Sequence, residues 1–156
     1  AAHEVGHLSA MLLCKKRVES VSLFTGRLEI KPCTNLLTNR EAIIILISGS
    51  SVNLLLAVLF SALQMKNEML INLMLGIFNL LPAGELDGGR IFRLLLESKL
   101  SENIANAITL ALSFLISVIL MSFGFLILFK SVMNPTLLII GIYIFVTTIK
   151  NIRYTN

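Results

Sequence analysis

Two histidines, His3 and His7, lie four positions apart near the start of the chain and are its only histidines. On a helix, residues i and i+4 are about 40° apart around the axis, so both imidazoles can bind one Zn²⁺ from the same face. Glu4 lies one step round that helix, where a carboxylate can hold a water that the metal acidifies. The spacing therefore predicts a hydrolytic zinc site, with Glu4 as its general base. The alternative is that the histidines only form hydrogen bonds and that Glu4 faces solvent.

A second group of chemically capable residues interrupts an apolar stretch at residues 79–90, with the sequence NLLPAGELDGGR. Pro82 and the glycines break a helix, which is predicted to resume over residues 91–100. Non-helical backbone at membrane depth survives only where protein buries it or where it lines a wet cavity. Because a hydrolytic zinc site takes three protein ligands and one water, Asp87 is predicted to be the third ligand. A structural Asp87, which caps the next helix or pairs with Arg90, is the alternative.

The elements that position these residues are predicted to be membrane helices. Apolar residues make up 56% of the chain and charged residues 14%, whereas soluble domains carry about 25% charge. Three uncharged stretches are each long enough to cross a hydrocarbon core of about 30 Å as a helix, namely residues 42–64, 103–129 and 131–149. We therefore expect an all-α, multi-pass integral membrane protein, a helical bundle in which a broken helix carries Asp87.

Between Lys15 and Arg40 the sequence pattern changes from continuously apolar to alternating. Residues 21–23 and residues 28–30 each place a polar residue between two apolar ones, with Thr25 and Gly26 between the two runs. This pattern predicts a short β-hairpin on the membrane surface after the metal-binding helix, with a backbone edge that can accept another strand. A surface loop rich in β-prone residues is the alternative.

The basic residues collect at the ends of the apolar stretches, so membrane topology explains the net charge of +4 and no nucleic-acid partner is expected. If the helices alternate sides, Lys66 and Lys130 fall on one side and the other basic residues on the opposite side. The positive-inside rule makes that second side, which includes the active site, cytoplasmic. Cys14 and Cys33 should stay reduced there, and neither is a predicted ligand.

We divide the chain into residues 1–100, which hold both motifs, and residues 101–156, which are predicted to add two further transmembrane helices to the same membrane domain. The first helix, up to Cys14, covers only about 21 Å, and the metal motif begins at its third residue. We therefore expect that the first span is truncated at its N-terminal end.

Taken together, HEVGH and NLLPAGELDGGR resemble the motifs of the site-2 protease family of intramembrane zinc metalloproteases. The order of motifs, with a short surface segment and one span between them, is most similar to the stage IV sporulation protein FB branch. The resemblance covers the chain up to about Leu100. It implies one Zn²⁺ per chain, held by His3, His7 and Asp87. Glu4 is implied to be the general base.

The resemblance further implies that Asn79 helps to hold the substrate backbone. An amide that caps carbonyls of the broken helix is the alternative. One departure concerns residues 49–53, where many relatives carry a Gly-Pro element and this chain has Gly-Ser-Ser-Val-Asn. A loop-forming role for that segment is therefore in doubt.

The branch implies regulated intramembrane proteolysis of a membrane-associated sporulation pro-sigma factor, with inhibitory membrane proteins as partners. A general site-2 protease that acts on anti-sigma factors or signal-peptide remnants is the close alternative. A function of another class, a non-hydrolytic transporter with an intramembrane metal site, also fits the three predicted ligands. Such a transporter would have no need of Glu4 beside the two histidines.

Overall fold

The structure is a computed structural model that describes residues 2–14, 18–24, 27–32, 38–84, 86–130 and 135–155. Within these residues the elements are, in chain order, α1 (Ala2–Leu13), β1 (Val18–Phe24), β2 (Arg27–Pro32), α2 (Asn39–Ala62), α3 (Lys66–Asn79), α4 (Asp87–Glu97), α5 (Glu102–Lys130) and α6 (Thr136–Thr155). They fall into two compact units, Ala1–Leu80 and Leu81–Asn156.

In the first unit, α2 packs against α1 and against α3. A capping box starts α2, because the Thr38 hydroxyl accepts from the Glu41 N–H and the Glu41 carboxylate accepts from the Thr38 N–H. This reciprocal pair satisfies two donors that a helix start would otherwise leave unpaired. With 24 residues, α2 is about 36 Å long, which is enough to cross a membrane.

The contact between α1 and α2 depends on two glycines. A Cβ atom at Gly6 would lie 2.7 Å from the Ser48 carbonyl oxygen and 2.9 Å from the Gly49 Cα. Because real Cβ atoms do not approach backbone that closely, only glycine permits the two helices to cross at this distance. The close crossing brings the HEVGH segment directly against the middle of α2.

Strands β1 and β2 pair antiparallel, with Val21 opposite Ile30 and Leu23 opposite Leu28. They occupy the segment in which the alternating pattern predicts a hairpin. The predicted turn residues, Thr25 and Gly26, lie outside the described part of the chain.

In the second unit, α5 and α6 run antiparallel against each other. Gly124 packs on Leu138, and a Cβ atom at Gly124 would lie 2.7 Å from the Leu138 nitrogen. Gly141 packs on Met121 in the same way, and the ring of Phe114 lies 5.5 Å from that of Phe145. Small residues thus allow the two backbones to approach closely along their length.

Within the described residues, two helices are long and apolar enough to cross a membrane, Asn39–Ala62 with a mean hydropathy of 2.4 and Glu102–Leu128 with 2.6. Only 22% and 17% of their most apolar windows are buried, whereas a core helix of a soluble protein is buried nearly all round. The third predicted span, residues 131–149, corresponds to a shorter apolar helix, Thr136–Ile152. The structure therefore supports two of the three predicted spans by length.

Candidate metal centre

The imidazoles of His3 and His7 meet on one face of α1, as their spacing predicts. Their Nε2 atoms are 3.0 Å apart, and the two rings lie edge to face with centroids 4.6 Å apart. Two nitrogen ligands of a tetrahedral Zn²⁺, each about 2.0–2.1 Å from the ion, are separated by about 3.3 Å. The pair therefore has nearly the separation that joint binding of one zinc ion requires.

A backbone carbonyl orients the His7 ring. The His7 Nδ1 lies 2.7 Å from the carbonyl oxygen of Ile45 on α2. Because a carbonyl can only accept, Nδ1 carries the proton, and Nε2 presents its lone pair. Metal-binding histidines usually donate their second ring N–H to such an acceptor. His7 therefore has the tautomer that a metal ligand needs.

Gly49 provides the space into which both rings fit. A Cβ atom at this position would lie 2.5 Å from His7 Nε2 and 2.8 Å from His3 Cε1. Any larger residue would therefore displace the rings. Residues 49–53, for which a loop-forming role was in doubt, lie within the continuous helix α2 and form no loop.

Asn53, one turn beyond Gly49, is 2% exposed, and its Nδ2 lies 3.5 Å from His3 Nδ1. Neither Gly49 nor Asn53 was predicted to contact the metal ligands. A signal was nevertheless present in the sequence, because an asparagine in an otherwise apolar span is expected to face a partner rather than lipid. The i, i+4 spacing also puts Asn53 and Gly49 on one face of α2.

Glu4 lies in the first turn of α1 and is half-buried. The helix places its side chain about 100° from that of His3, so it lies beside the imidazole pair rather than between the rings. Its predicted role as general base is untested by this arrangement and stays a prediction.

Asp87 belongs to the second unit and is 5% exposed. It is the first residue of α4, which begins four positions before the predicted restart at residue 91. The N-cap residue is Leu86, which makes no side-chain capping hydrogen bond. Asp87 is therefore not the N-cap that the structural alternative supposed. A carboxylate at this position interacts favourably with the helix dipole, which helps to offset its burial.

The turn before Asp87 is held by α5 and by a close glycine contact. The Gly84 N–H donates to the Ser113 hydroxyl at 2.7 Å, and that hydroxyl donates to the Thr109 carbonyl at 2.7 Å. Gly84 itself has a φ of +53°, a conformation that favours glycine. A Cβ atom at Gly89 would lie 2.5 Å from the Gly84 carbonyl oxygen. The turn can therefore fold back onto the first turn of α4 only with glycine at position 89.

Asn79 is the last residue of α3, and its Nδ2 donates to the Leu75 carbonyl at 3.0 Å. This bond is made within α3, to a carbonyl ahead of the break, and it does not test the capping alternative. A contact between Asn79 and substrate stays a prediction. Cys14 is a free, half-buried thiol, and Cys33 lies outside the described residues.

Comparison with known proteins gives a family match and a fold match. Residues 64–122 match the family model described as Peptidase family M50. The matched segment contains Asn79 and Asp87 but not His3 and His7. The structure is similar to that of the "Site-2 Protease from Methanocaldococcus jannaschii", with a TM-score of 0.68 and 24% sequence identity over 96% of this chain and 71% of that chain. A comparison with curated proteins finds no match. Residues 64–122 are thus similar to the M50 peptidase family, the fold is similar to that of a site-2 protease, and neither comparison distinguishes the sporulation branch.

Proposed function

We propose that this protein is an intramembrane zinc metalloprotease. The observation that carries the proposal is the arrangement of His3 and His7, whose Nε2 atoms lie 3.0 Å apart while the Ile45 carbonyl fixes the tautomer of His7. The space left by Gly49 suits this pair, because a Cβ atom would occupy it. The M50 family match of residues 64–122 and the site-2 protease fold support the same reaction class.

Asp87 is the third zinc ligand in this proposal. Two histidines and one carboxylate form a known ligand set for catalytic zinc and leave a fourth position open. The burial of Asp87 supports this role, because a carboxylate that is 5% exposed needs a strong electrostatic partner. A bound zinc ion is such a partner, as it is the largest local charge at a site of this kind.

When bound, Zn²⁺ supplies Lewis acidity, which polarises a carbonyl and acidifies a water. The Glu4 carboxylate takes the proton of the attacking water and passes it to the nitrogen of the leaving amine. His7 keeps its ligating nitrogen in place during this transfer, because the Ile45 carbonyl of α2 holds its ring. The reaction class is therefore hydrolysis of a peptide bond.

The substrate is a membrane-associated protein in this proposal. The exposed apolar faces of α2 and α5 support it, because such faces suit a lipid environment. A substrate helix has its carbonyls bonded within the helix and must unwind before it is attacked. The β1–β2 hairpin can pair with the opened segment as an added strand, and Asn79 can hold its backbone.

For the substrate itself, we propose a sporulation pro-sigma factor, cleaved on the cytoplasmic side under the control of inhibitory membrane proteins. Its support is the order of HEVGH and NLLPAGELDGGR in the chain. Co-expression with a candidate pro-sigma factor should yield a shortened product. Processing of an anti-sigma factor or a signal-peptide remnant instead would favour the general site-2 protease alternative.

The metal site is tested by zinc content after purification in detergent. We expect about one zinc ion per wild-type chain and loss of zinc in the variants His3→Ala, His7→Ala and Asp87→Ala. The matched control is Glu97→Gln, which removes a carboxylate from the same helix as Asp87, where it pairs with Arg93 at 2.6 Å. Zinc content that is unchanged in the histidine variants would overturn the proposal. Metal flux across vesicles without any cleavage would favour a transporter.

A further inference from the structure

His3 and His7 are oriented by partners of different kinds. The Ile45 carbonyl opposite His7 Nδ1 can only accept, so it permits one tautomer. The Asn53 amide opposite His3 Nδ1 has a donor end and an acceptor end, so it permits both. The tautomer of His3 therefore depends on the orientation of this amide and on the His7 Nε2, which lies 3.0 Å from His3 Nε2.

The two orientations have opposite consequences for zinc. With Nδ2 toward His3, the ring nitrogen Nδ1 accepts and Nε2 carries the proton, which blocks metal binding at Nε2. With Oδ1 toward His3, Nδ1 donates, and Nε2 presents its lone pair beside that of His7. The two ends of an amide have nearly the same size, so a half-turn of the group exchanges them without moving α2.

We infer that Asn53 is a positioning residue for zinc, whose amide oxygen accepts from His3 Nδ1 and so directs His3 Nε2 to the ion. This inference rests on the proposed function. The burial of Asn53 supports it, because an amide that is 2% exposed in an apolar helix is costly without a polar partner. In this structure the Asn53 Nδ2 is the end of the amide that lies 3.5 Å from His3 Nδ1, so the proposed bond forms after a half-turn of the amide exchanges its two ends.

Three variants test this role through zinc retention, measured as the rate at which a chelator removes the metal from purified, zinc-loaded protein. Asn53→Leu keeps the approximate side-chain volume but cannot accept, and it should weaken zinc binding by about 10- to 100-fold. Asn53→Asp keeps an acceptor and should retain zinc as the wild type does. The matched control is Asn72→Leu, because the Asn72 Nδ2 donates to the Glu68 carbonyl of its own helix at 2.8 Å.

A second measurement needs no variant and covers the case in which Asn53→Leu fails to fold. Because the chain has two histidines, ¹⁵N-histidine labelling gives signals from two imidazoles. In the zinc-loaded wild type both should be protonated at Nδ1 and deprotonated at Nε2. In Asn53→Leu, one Nδ1 proton should exchange faster with water. An imidazole that binds zinc through Nδ1 would overturn the inference.

The two proposals fail in different ways. If the wild type binds no zinc, or if His3→Ala keeps it, the metalloprotease proposal fails. If the wild type binds zinc and His3→Ala loses it, but Asn53→Leu retains it as firmly as Asn72→Leu does, only the role of Asn53 is wrong. Equal loss in Asn53→Asp and Asn53→Leu would also contradict the inference, because an acceptor would then bring no advantage.

Discussion

At the scale of single residues, the metal centre is defined by which nitrogen each histidine presents. The i, i+4 spacing of His3 and His7 brings the rings together, and their Nε2 atoms lie 3.0 Å apart. The ring of His7 is then fixed by a carbonyl 38 positions later in the chain, that of Ile45. Local helix geometry and a long-range contact thus act on the same side chain, and both are needed to present a lone pair to a metal.

The role of Glu4 is a prediction at this scale. Glu4→Gln keeps the size of the side chain but removes its basic oxygen, so cleavage should fall at least about 100-fold. Zinc content should stay at the wild-type level, because Glu4 is not a proposed ligand. Both quantities are measured on the same detergent preparation, with a membrane-anchored substrate for the cleavage assay. Unchanged turnover in this variant would remove Glu4 as the base.

At the scale of elements, close backbone contacts shape the surroundings of the two histidines in the first unit and the turn before Asp87 in the second unit. Gly6 allows α1 to approach α2, and Gly49 makes room for the imidazoles. Gly89 allows the turn before α4 to fold onto its first helical turn. At each of these glycines, a Cβ atom would lie within 3 Å of backbone atoms or of an imidazole ring. Backbone and packed rings cannot move aside as the end of a flexible side chain can, so a larger residue would disturb the packing.

The anchoring of this turn by α5 is the prediction at the scale of elements. Ser113→Ala removes the hydroxyl that accepts from the Gly84 N–H and should lower the free energy of unfolding by about 1 kcal/mol. Cleavage should fall as well, because the turn carries Asp87. Ser117→Ala is the matched control, since Ser117 is also buried in α5 but bonds to the Phe114 carbonyl of its own helix. Unfolding in mixed detergent micelles gives both free energies; equal effects would contradict an anchoring role.

At the scale of the whole molecule, the exposed apolar surface favours a lipid environment over water. Leu55 and Val58 in the C-terminal half of α2 are 69% and 70% exposed. Exposing apolar surface to water costs about 25 cal/mol per Å² in free energy, and contact with lipid avoids this cost. Thr38, at the start of the same helix, is exposed and polar. The helix therefore has an interior part suited to hydrocarbon and an end suited to water.

The membrane position of α2 is a prediction that cysteine labelling can check. With Cys14 and Cys33 replaced by serine, Thr38→Cys should react with a water-soluble maleimide in open membranes, and Leu55→Cys should not. Detergent denaturation should make both positions reactive. An impermeant reagent should reach Thr38→Cys in inverted vesicles but not in intact cells if this end of α2 is cytoplasmic. Strong labelling of Leu55→Cys in intact bilayers would contradict the proposed span.

Local patterns predicted much of this protein. The helical pairing of His3 and His7, the apolar helices α2 and α5, and the interruption of helix before Asp87 all follow from periodicity, length and helix-breaking residues. Such features depend on the residues of one segment and its immediate neighbours, so a sequence contains the information directly.

Tertiary structure alone decided the contacts that refine these features. The Ile45 carbonyl, the space at Gly49 and the amide of Asn53 reach the histidines only because α1 crosses α2 at one particular point. Likewise, Ser113 holds the Gly84 turn across 29 positions of chain, and α4 begins at Asp87 rather than at residue 91. The physical reason is that the residue pattern of a segment shows only which face of its helix is apolar or polar. The partner of each face depends on where two helix backbones can approach most closely.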